Sequence, residues 1–179
     1  VLDQRAEALV FYVPKLENEE EAAYLRQLIV TAERAVHAGD PSCAPERVRV
    51  LVVFENPRAI FRIPAMAAAL GPSFLGGSLG WHDFLASTAR LFKHDPRYRI
   101  PVKADPDIVI QRIQASHRRL VSDLTPFGAL RIGGMYGVLF EEGDADSFRV
   151  SMIGFIRDVI TQMKRGLDGY WVARGRSRA

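Results

Sequence analysis

The chain has 179 residues, of which 48% are hydrophobic and 25% charged, and its net charge is +3. This length allows one domain with a sizeable core, and the composition is that of an ordinary globular protein. No stretch approaches the ~18 uncharged apolar residues of a membrane span, and the first ten residues lack a signal-peptide pattern, so we expect no membrane association. The single cysteine, Cys43, cannot form an internal disulfide, and a cytoplasmic location is therefore expected.

The first predicted elements are a strand and a long helix. Residues 8–13 form a short apolar run with two aromatic side chains, which is typical of a strand. Asn18 is a good helix N-cap, and Glu21 follows three residues later as in a capping box. Apolar residues then recur at steps of three and four, which predicts a helix that ends at Gly39 with a left-handed cap.

The middle of the chain predicts two strands, each followed by a helix. The second strand spans about residues 47–55, and Pro57 breaks it. A short helix follows over about 64–71. Residues 74–80 are rich in glycine and predict a third strand or strand end, and a helix begins near His82.

The last part of the chain predicts two more helices and two more strands. Asp105, followed by a proline, is expected to open a helix that runs to about Val121. A fourth strand is predicted over residues 129–134. Ser147 is the expected N-cap of the last helix, and residues 170–173 predict a fifth strand.

The alternation of strands and helices defines the predicted fold. Apolar strands separated by helices indicate a parallel sheet covered by helices, which is an α/β architecture. No internal repeat, linker or composition shift divides the chain, so we expect residues 1–179 to form one domain. Parallel sheets of this kind place their chemistry at the carboxyl ends of the strands.

Four of the predicted strands end in residues that suit a functional site. Lys15 and Glu17 follow the first strand, Glu55 ends the second, the segment 80–83 follows the third and the pair 133–134 ends the fourth. These positions offer a cation, carboxylates and bare glycine backbone, which is more than loops need merely to turn. The carboxyl edge of the sheet is therefore the candidate site.

Two of these residues, Glu55 and Asp83, could form a metal site. They stand 28 residues apart, which is one strand–helix unit, and adjacent strands lie ~4.8 Å apart. Two carboxylates with room for water and substrate oxygens suit Mg²⁺, and no Cys/His cluster or HExxH motif competes for a softer metal. The alternative is that Glu55 is a surface acid and Asp83 a helix N-terminal residue stabilised by the helix dipole.

Residues 76–80 match the pattern G-x-S-x-G, in which Ser78 would be a nucleophile and His117 a downstream partner. That motif requires a helix directly after the serine, whereas the predicted helix starts only near His82. This late helix start disfavours a serine hydrolase. The glycines could instead expose backbone N–H groups to an anion.

Much of the excess positive charge lies in a basic tail, residues 174–179, which contains Arg174, Arg176 and Arg178. A short arginine tail can touch nucleic acid. No aromatic residues interleave with these arginines, and no nucleic-acid-binding motif accompanies them. We interpret the tail as a solvated terminus and expect no nucleic-acid partner.

Five segments, in order along the chain, resemble motifs of the catalytic barrel of malate synthase. They are YVPKLEN, VLVVFENPRAIF, LGWHDF, RIGGM and DGYWVA. The second segment resembles the metal-binding strand of that family through Glu55, Ala59 and Phe61. In the third segment, Asp83 matches the position of the family's second metal ligand. The resemblance covers about residues 8–174.

This resemblance implies a (β/α)₈ TIM barrel of which these strands are the fourth to eighth. It implies Mg²⁺ held by Glu55 and Asp83, with the carboxylate of glyoxylate touching backbone amides of the turn at 80–83. Acetyl-CoA would condense with the aldehyde, and hydrolysis of malyl-CoA would give malate and CoA. The substrate-binding residues expected in this way are Gly80, Trp81, His82, Asp83, Lys15, Gly133 and Gly134.

The chain also departs from the family pattern. Asn56-Pro57-Arg58 stands where the family has Thr-Leu-Pro, Trp81-His82 replaces Arg-Trp, and Arg174-Gly175 replaces His-Pro. Arg58 and His82 could therefore reshape recognition of the acyl or keto-acid group. A related metal-dependent lyase that cleaves a malyl-CoA or citramalyl-CoA thioester is the alternative activity.

The resemblance places two catalytic groups outside this chain, an arginine on an early barrel strand and an aspartate base in a C-terminal helical domain. The first three barrel strands are also missing, and an open five-stranded sheet would expose a strand edge and apolar faces. We therefore expect a fragment of a larger enzyme that is inactive alone. A non-catalytic remnant remains a third reading, and the sequence leaves the oligomeric state open.

Overall fold

The computed structural model describes residues 9–98, 106–136 and 143–172. Strands and helices alternate along these ranges, except that α3 and α4 follow each other in the order of described elements. Their bounds are β1 Leu9–Val13, α1 Glu19–Gly39, β2 Val48–Phe54, α2 Ile63–Leu70, β3 Phe74–Leu79, α3 Trp81–Phe92, α4 Pro106–Leu124, β4 Leu130–Gly133, α5 Ala145–Lys164 and β5 Gly169–Tyr170. Among the described helices, none is both long enough and apolar enough to cross a membrane.

The five strands form one parallel sheet in the order β1-β2-β3-β4-β5. The sheet is curled. Its two ends approach each other, since the ring of Tyr12 on the first strand lies 4.2 Å from the ring of Trp171, which follows the last strand. A curled parallel sheet with helices between its strands is part of a TIM barrel, so the predicted fold class is confirmed.

The core lies between strand β2 and the helices that cover it. Val50, Val52 and Phe54 of β2 are fully buried and pack in one cluster with residues of α2 and α4. A strand buried in this way reads as a continuous apolar run, which is why residues 48–54 gave a clear prediction. The core therefore fixes the position of Glu55, the next residue along the chain.

The outer elements of the sheet are much more exposed than its centre. Residues 9–12 of β1 have exposed fractions of 41–49%. Four apolar residues of α5 are also 43–61% exposed, namely Ile153, Ile156, Ile160 and Met163. The strand edge and the apolar helix face are exposed as expected for five strands of an eight-stranded barrel.

Several helix boundaries differ from the prediction. Helix α5 begins at Ala145, two residues before the predicted N-cap Ser147, because Asp144 is its N-cap and accepts hydrogen bonds from the N–H groups of Asp146 and Ser147. Gly39 ends α1 as predicted, but the left-handed cap is wrong, because Asp40 closes the helix with an extended backbone and donates its N–H to Val36.

Other differences concern α3, α4 and β5. Helix α3 begins at Trp81, one residue earlier than predicted, and α4 continues past Val121 to Leu124. Strand β5 contains only Gly169 and Tyr170. The predicted N-cap Asp105, and the end of the fifth predicted strand at residue 173, lie outside the described residues.

Candidate active site

A cavity of about 440 Å³ opens at the carboxyl ends of β2, β3 and β4. The strand-end residues Glu55, Gly80 and Gly134 line it together with the first turn of α3. Five further residues contribute side chains from other elements, namely Tyr12, His117, Asp158, Gln162 and Trp171. The predicted edge of the sheet is therefore a concave site.

Glu55 and Asp83 converge on one cation, the side-chain ammonium of Lys15. The Lys15 Nζ lies 3.0 Å from Glu55 Oε1 and 2.9 Å from Asp83 Oδ1. The backbone N–H of Lys15 also donates to Glu55 Oε1, at 3.0 Å. This second bond requires Lys15 to adopt a left-handed backbone with φ of 68°, which is uncommon for a residue with a side chain.

The ion pairs shift the pKa values of the two exposed partners, Asp83 and Lys15, in opposite directions. The Lys15 ammonium, mainly through its hydrogen bond and then through its charge, holds the pKa of the Asp83 carboxyl below its ordinary value. Asp83 and, to a lesser degree, Glu55 raise the pKa of Lys15. Both carboxylate and ammonium are therefore favoured in their charged forms, as a site for ionic ligands requires.

Gly80 leaves the space that Glu55 occupies. A Cβ atom at this position would lie 2.6 Å from Glu55 Cβ and 2.8 Å from Glu55 Oε2. Gly80 is also the N-cap of α3 and provides no side-chain cap. The first N–H groups of α3 consequently remain available where Gly80, Trp81 and His82 line the cavity, and such groups attract anions.

The donor set fits Mg²⁺ rather than a softer metal. Two carboxylate groups already share one cation, and hard oxygen ligands suit magnesium, which normally keeps several water or substrate ligands. Within residues 9–98, 106–136 and 143–172, no group of three or more His, Cys, Asp or Glu side chains is arranged to hold a metal. Water and substrate oxygens would therefore have to complete the coordination shell.

The two glycines after β4 differ in their surroundings. Gly134 lines the cavity, and its carbonyl accepts a hydrogen bond from Gln162 Nε2 at 3.2 Å. Gly133 is buried beneath Gln162, whose amide oxygen would lie 1.6 Å from an added Cβ. Gly133 thus admits the side chain of Gln162 against the strand.

The geometry around Ser78 does not form a nucleophile site. Ser78 is fully buried, and its hydroxyl accepts a hydrogen bond from Trp171 Nε1 at 2.9 Å. His117 contacts Arg165, with 3.3 Å between its Nδ1 and the guanidinium Nη1. Helix α3 also starts three residues after Ser78, as the sequence had indicated.

The residues that depart from the family pattern after Glu55 are held by Glu17. Asn56 Nδ2 donates to Glu17 Oε1 at 3.0 Å, and Arg58 lies 3.7 Å from Glu17 Oε2. The loops after β1 and β2 are therefore linked through Glu17. This link was not apparent from the sequence, because it joins residues 39 apart.

The inner wall of the cavity, formed by α4 and α5, could not be predicted from the sequence. His117 is 3% exposed, and burial, with a smaller contribution from the Arg165 charge, lowers its pKa to about 4. Gln162 is 5% exposed, and its Nε2 donates to Asp158 at 2.7 Å. His117 could not be assigned to the cavity from the sequence, because burial on a helix depends on how that helix packs.

Comparisons with known proteins point to one family. A family model described as "Malate synthase, TIM barrel domain" matches residues 1–177. A malate synthase of Oryza sativa subsp. japonica is 23% identical over 163 residues, which cover 91% of this chain and 28% of that protein.

Two solved structures share the fold. A magnesium and glyoxylate complex of Haloferax volcanii malate synthase has a TM-score of 0.63 at 12% identity, covering 92% of this chain and 41% of that one. A citrate lyase from Burkholderia xenovorans LB400 has a TM-score of 0.62 at 16% identity, covering 91% of this chain and 44% of that one.

The matches cover most of this chain but only part of each relative. The chain spans less than a third of the length of the Oryza sativa relative. The family model, in contrast, covers nearly all of the chain. The chain therefore belongs to the malate synthase TIM-barrel domain family.

Proposed function

We propose that the protein contributes the metal and glyoxylate site of a Mg²⁺-dependent acyltransferase of the glyoxylate cycle. This enzyme would condense acetyl-CoA with glyoxylate to give malate and CoA. The observation that carries the proposal is the convergence of Glu55 and Asp83 on one cation at the mouth of a malate synthase-type barrel. The Haloferax volcanii relative was solved with magnesium and glyoxylate, which supports the same ligands here.

Glu55 and Asp83 would hold the magnesium ion. When bound, Mg²⁺ supplies Lewis-acid polarisation of the aldehyde oxygen and neutralises its developing negative charge. Glu55 is suited to a fixed ligand, because it is 5% exposed and its Oε1 accepts from the backbone of Lys15. Asp83 is more exposed and lies on the first turn of α3, beside the proposed glyoxylate position.

The first turn of α3 would bind the glyoxylate carboxylate. The N–H groups of residues 81–83 have no helical partners, and the partial positive charge of a helix N-terminus stabilises an anion. Gly80 allows close approach, and Trp81, His82 and Gly134 line the same cavity. In this proposal the aldehyde carbon would face the cavity, where the enolate of acetyl-CoA would attack it.

The carbon–carbon step needs groups that the resemblance places elsewhere. An aspartate would take a methyl proton from acetyl-CoA, the resulting enolate would attack the aldehyde carbon, and hydrolysis of the thioester would release malate and CoA. The resemblance places this aspartate, and the arginine that polarises the aldehyde, outside these 179 residues. We accordingly expect these residues alone to bind Mg²⁺ weakly and to turn over nothing.

A lyase that cleaves malyl-CoA or citramalyl-CoA is the second candidate. The observation that favours it is the citrate lyase fold match, whose TM-score of 0.62 nearly equals the 0.63 of the malate synthase match. Such a lyase would break the carbon–carbon bond and leave the thioester intact. The cytoplasmic location, and the absence of membrane and nucleic-acid partners, remain predictions in either case.

The release of free CoA thiol separates these activities. The protein that contains this chain is incubated with acetyl-CoA and a panel of 2-oxo acids, with and without Mg²⁺. Mg²⁺-dependent thiol release with glyoxylate supports the synthase. In a parallel incubation with malyl-CoA, its cleavage to glyoxylate and acetyl-CoA without thiol release supports the lyase. If neither reaction occurs, the protein is better interpreted as a non-catalytic remnant.

A further inference from the structure

The Lys15 ammonium occupies the position between the two proposed metal ligands. It lies within 3.0 Å of Glu55 Oε1 and 2.9 Å of Asp83 Oδ1, and it is a cation. We infer that Lys15 is an internal counter-ion that fills this position without metal, excludes monovalent cations and is displaced by a divalent cation. This inference rests on the proposed function, because it concerns the same metal site.

Glu55 explains why a counter-ion is needed. Its carboxylate is buried, and an unpaired charge in such a place is costly because it has lost its water. The Lys15 ammonium compensates this charge and pairs with Asp83 as well. The buried charge of Glu55 is therefore compensated before any metal arrives.

Lys15 can also leave without disrupting the site. Its side chain is 66% exposed, so the ammonium can move into water. The backbone N–H of Lys15 would still donate to Glu55 Oε1, because that bond depends on the left-handed backbone and not on the side chain. Glu55 thus keeps one fixed donor whether or not the ammonium is present.

Competition for the same oxygens determines the cation selectivity. A monovalent ion offers the carboxylates no more charge than the ammonium already does, and it would have to displace a tethered group. A divalent ion offers twice the charge and can win, but repulsion from the nearby ammonium weakens its binding. Removal of the ammonium should therefore strengthen divalent binding and admit monovalent ions.

A purely structural role for Lys15 predicts the opposite. If the ammonium only kept Glu55 and Asp83 in place, its loss would let the carboxylates separate and would weaken divalent binding. The sign of the change in metal affinity therefore distinguishes a competing counter-ion from a structural support.

The test measures Mn²⁺ binding to the protein that contains this chain, by electron paramagnetic resonance and calorimetry. The variants are Lys15→Met and Lys15→Gln, and the second keeps a neutral hydrogen-bond donor in case the first does not fold. Lys93→Met, which removes an exposed lysine at the end of α3, is the matched control. Asp83→Ala tests the metal site itself.

We expect about tenfold tighter Mn²⁺ binding in both Lys15 variants, given the repulsion between nearby charges. KCl should weaken Mn²⁺ binding by a larger factor in these variants than in the wild type, whereas Lys93→Met should match the wild type. Unchanged or weaker binding in the folded Lys15 variants would overturn the inference, and loss of binding only in Asp83→Ala would leave the proposed metal site standing. If the wild type itself binds no Mn²⁺, both proposals fail.

Discussion

The two walls of the cavity differ in charge and in freedom to change partners. The wall at the ends of β2 and β3 carries the carboxylates of Glu55 and Asp83, which pair with the Lys15 ammonium from the loop after β1, and the side chains of Lys15 and Asp83 are 66% and 56% exposed. The wall formed by α4 and α5 carries His117 and Gln162, which are 3% and 5% exposed. The first wall, which we call the outer wall, is suited to exchange one cation for another. The second, the inner wall, keeps the cavity in shape.

The side chains of the inner wall are mostly tied to one another. Gln162 Nε2 bonds both Asp158 and the carbonyl of Gly134, and His117 contacts Arg165. Only the amide oxygen of Gln162 is buried without a hydrogen-bond partner in the described part of the chain. Changes to the outer wall should therefore alter ligand binding, and changes to the inner wall should alter stability.

The largest expected effect comes from removal of a carboxylate from the outer wall. Glu55→Ala or Asp83→Ala should lower the turnover of the intact enzyme at least about 10²–10³-fold, because the charge developing in the transition state loses its stabilisation. The fold should survive, as judged by circular dichroism. Glu20→Ala, which removes an exposed acid on the first turn of α1, is the control. Equal activity in the wild type and either site variant would refute the assigned roles.

The inner wall should make the protein sensitive to acid. The folded pKa of His117 is about 4, below its ordinary value of 6.5, so between these values the unfolded chain binds a proton that the folded chain does not. Stability should therefore fall as the pH is lowered from 6.5 to 4, by up to about 3 kcal/mol from this group. His117→Gln should flatten this dependence in urea unfolding at pH 7.5, 5.5 and 4.5. An unaltered slope in the variant would contradict the assignment to His117.

Gly80→Ala should damage the outer wall through sterics alone. The added Cβ would clash with Glu55 Cβ and Oε2, at 2.6 and 2.8 Å, and the displacement should cost about 2 kcal/mol of stability. Metal affinity should fall with it, because Glu55 must move. Gly39→Ala is the matched control, since a Cβ there meets nothing within 4 Å. Thermal unfolding with and without Mn²⁺ measures both effects.

The smallest effect is expected where the last strand meets the barrel interior. Trp171→Phe removes the donor to the buried Ser78 hydroxyl, which should cost about 1 kcal/mol in chemical denaturation. The double variant with Ser78→Ala should recover part of this loss, because no buried hydroxyl is then left unpaired. A double variant whose loss equals the sum of the two single losses would show that the bond does not couple them.

The sequence was sufficient for the parts of the site that depend on strand order. Glu55 and Asp83 follow successive strands of a parallel sheet, and such strand ends meet at one edge. Their convergence could therefore be predicted from spacing, and the burial of β2 from its continuous apolar run. The family resemblance also rested on motifs at these strand ends, and the family model confirms it.

The remaining features depend on contacts that no local pattern encodes. The left-handed backbone of Lys15 is unusual for a lysine, and it decides which groups reach Glu55. Two good caps, Asp144 and Ser147, stand near the start of α5, and only the packed helix shows that Asp144 is used. The burial of His117 follows from how α4 lies against the sheet.

The position of Trp171 has a practical consequence. Both tryptophans of the chain, Trp81 and Trp171, line the same cavity. Trp171 also lies 4.2 Å from Tyr12 on the opposite edge of the sheet. Intrinsic fluorescence therefore reports on this cavity without any introduced label, and a change in emission would signal ligand entry or an opening of the curl.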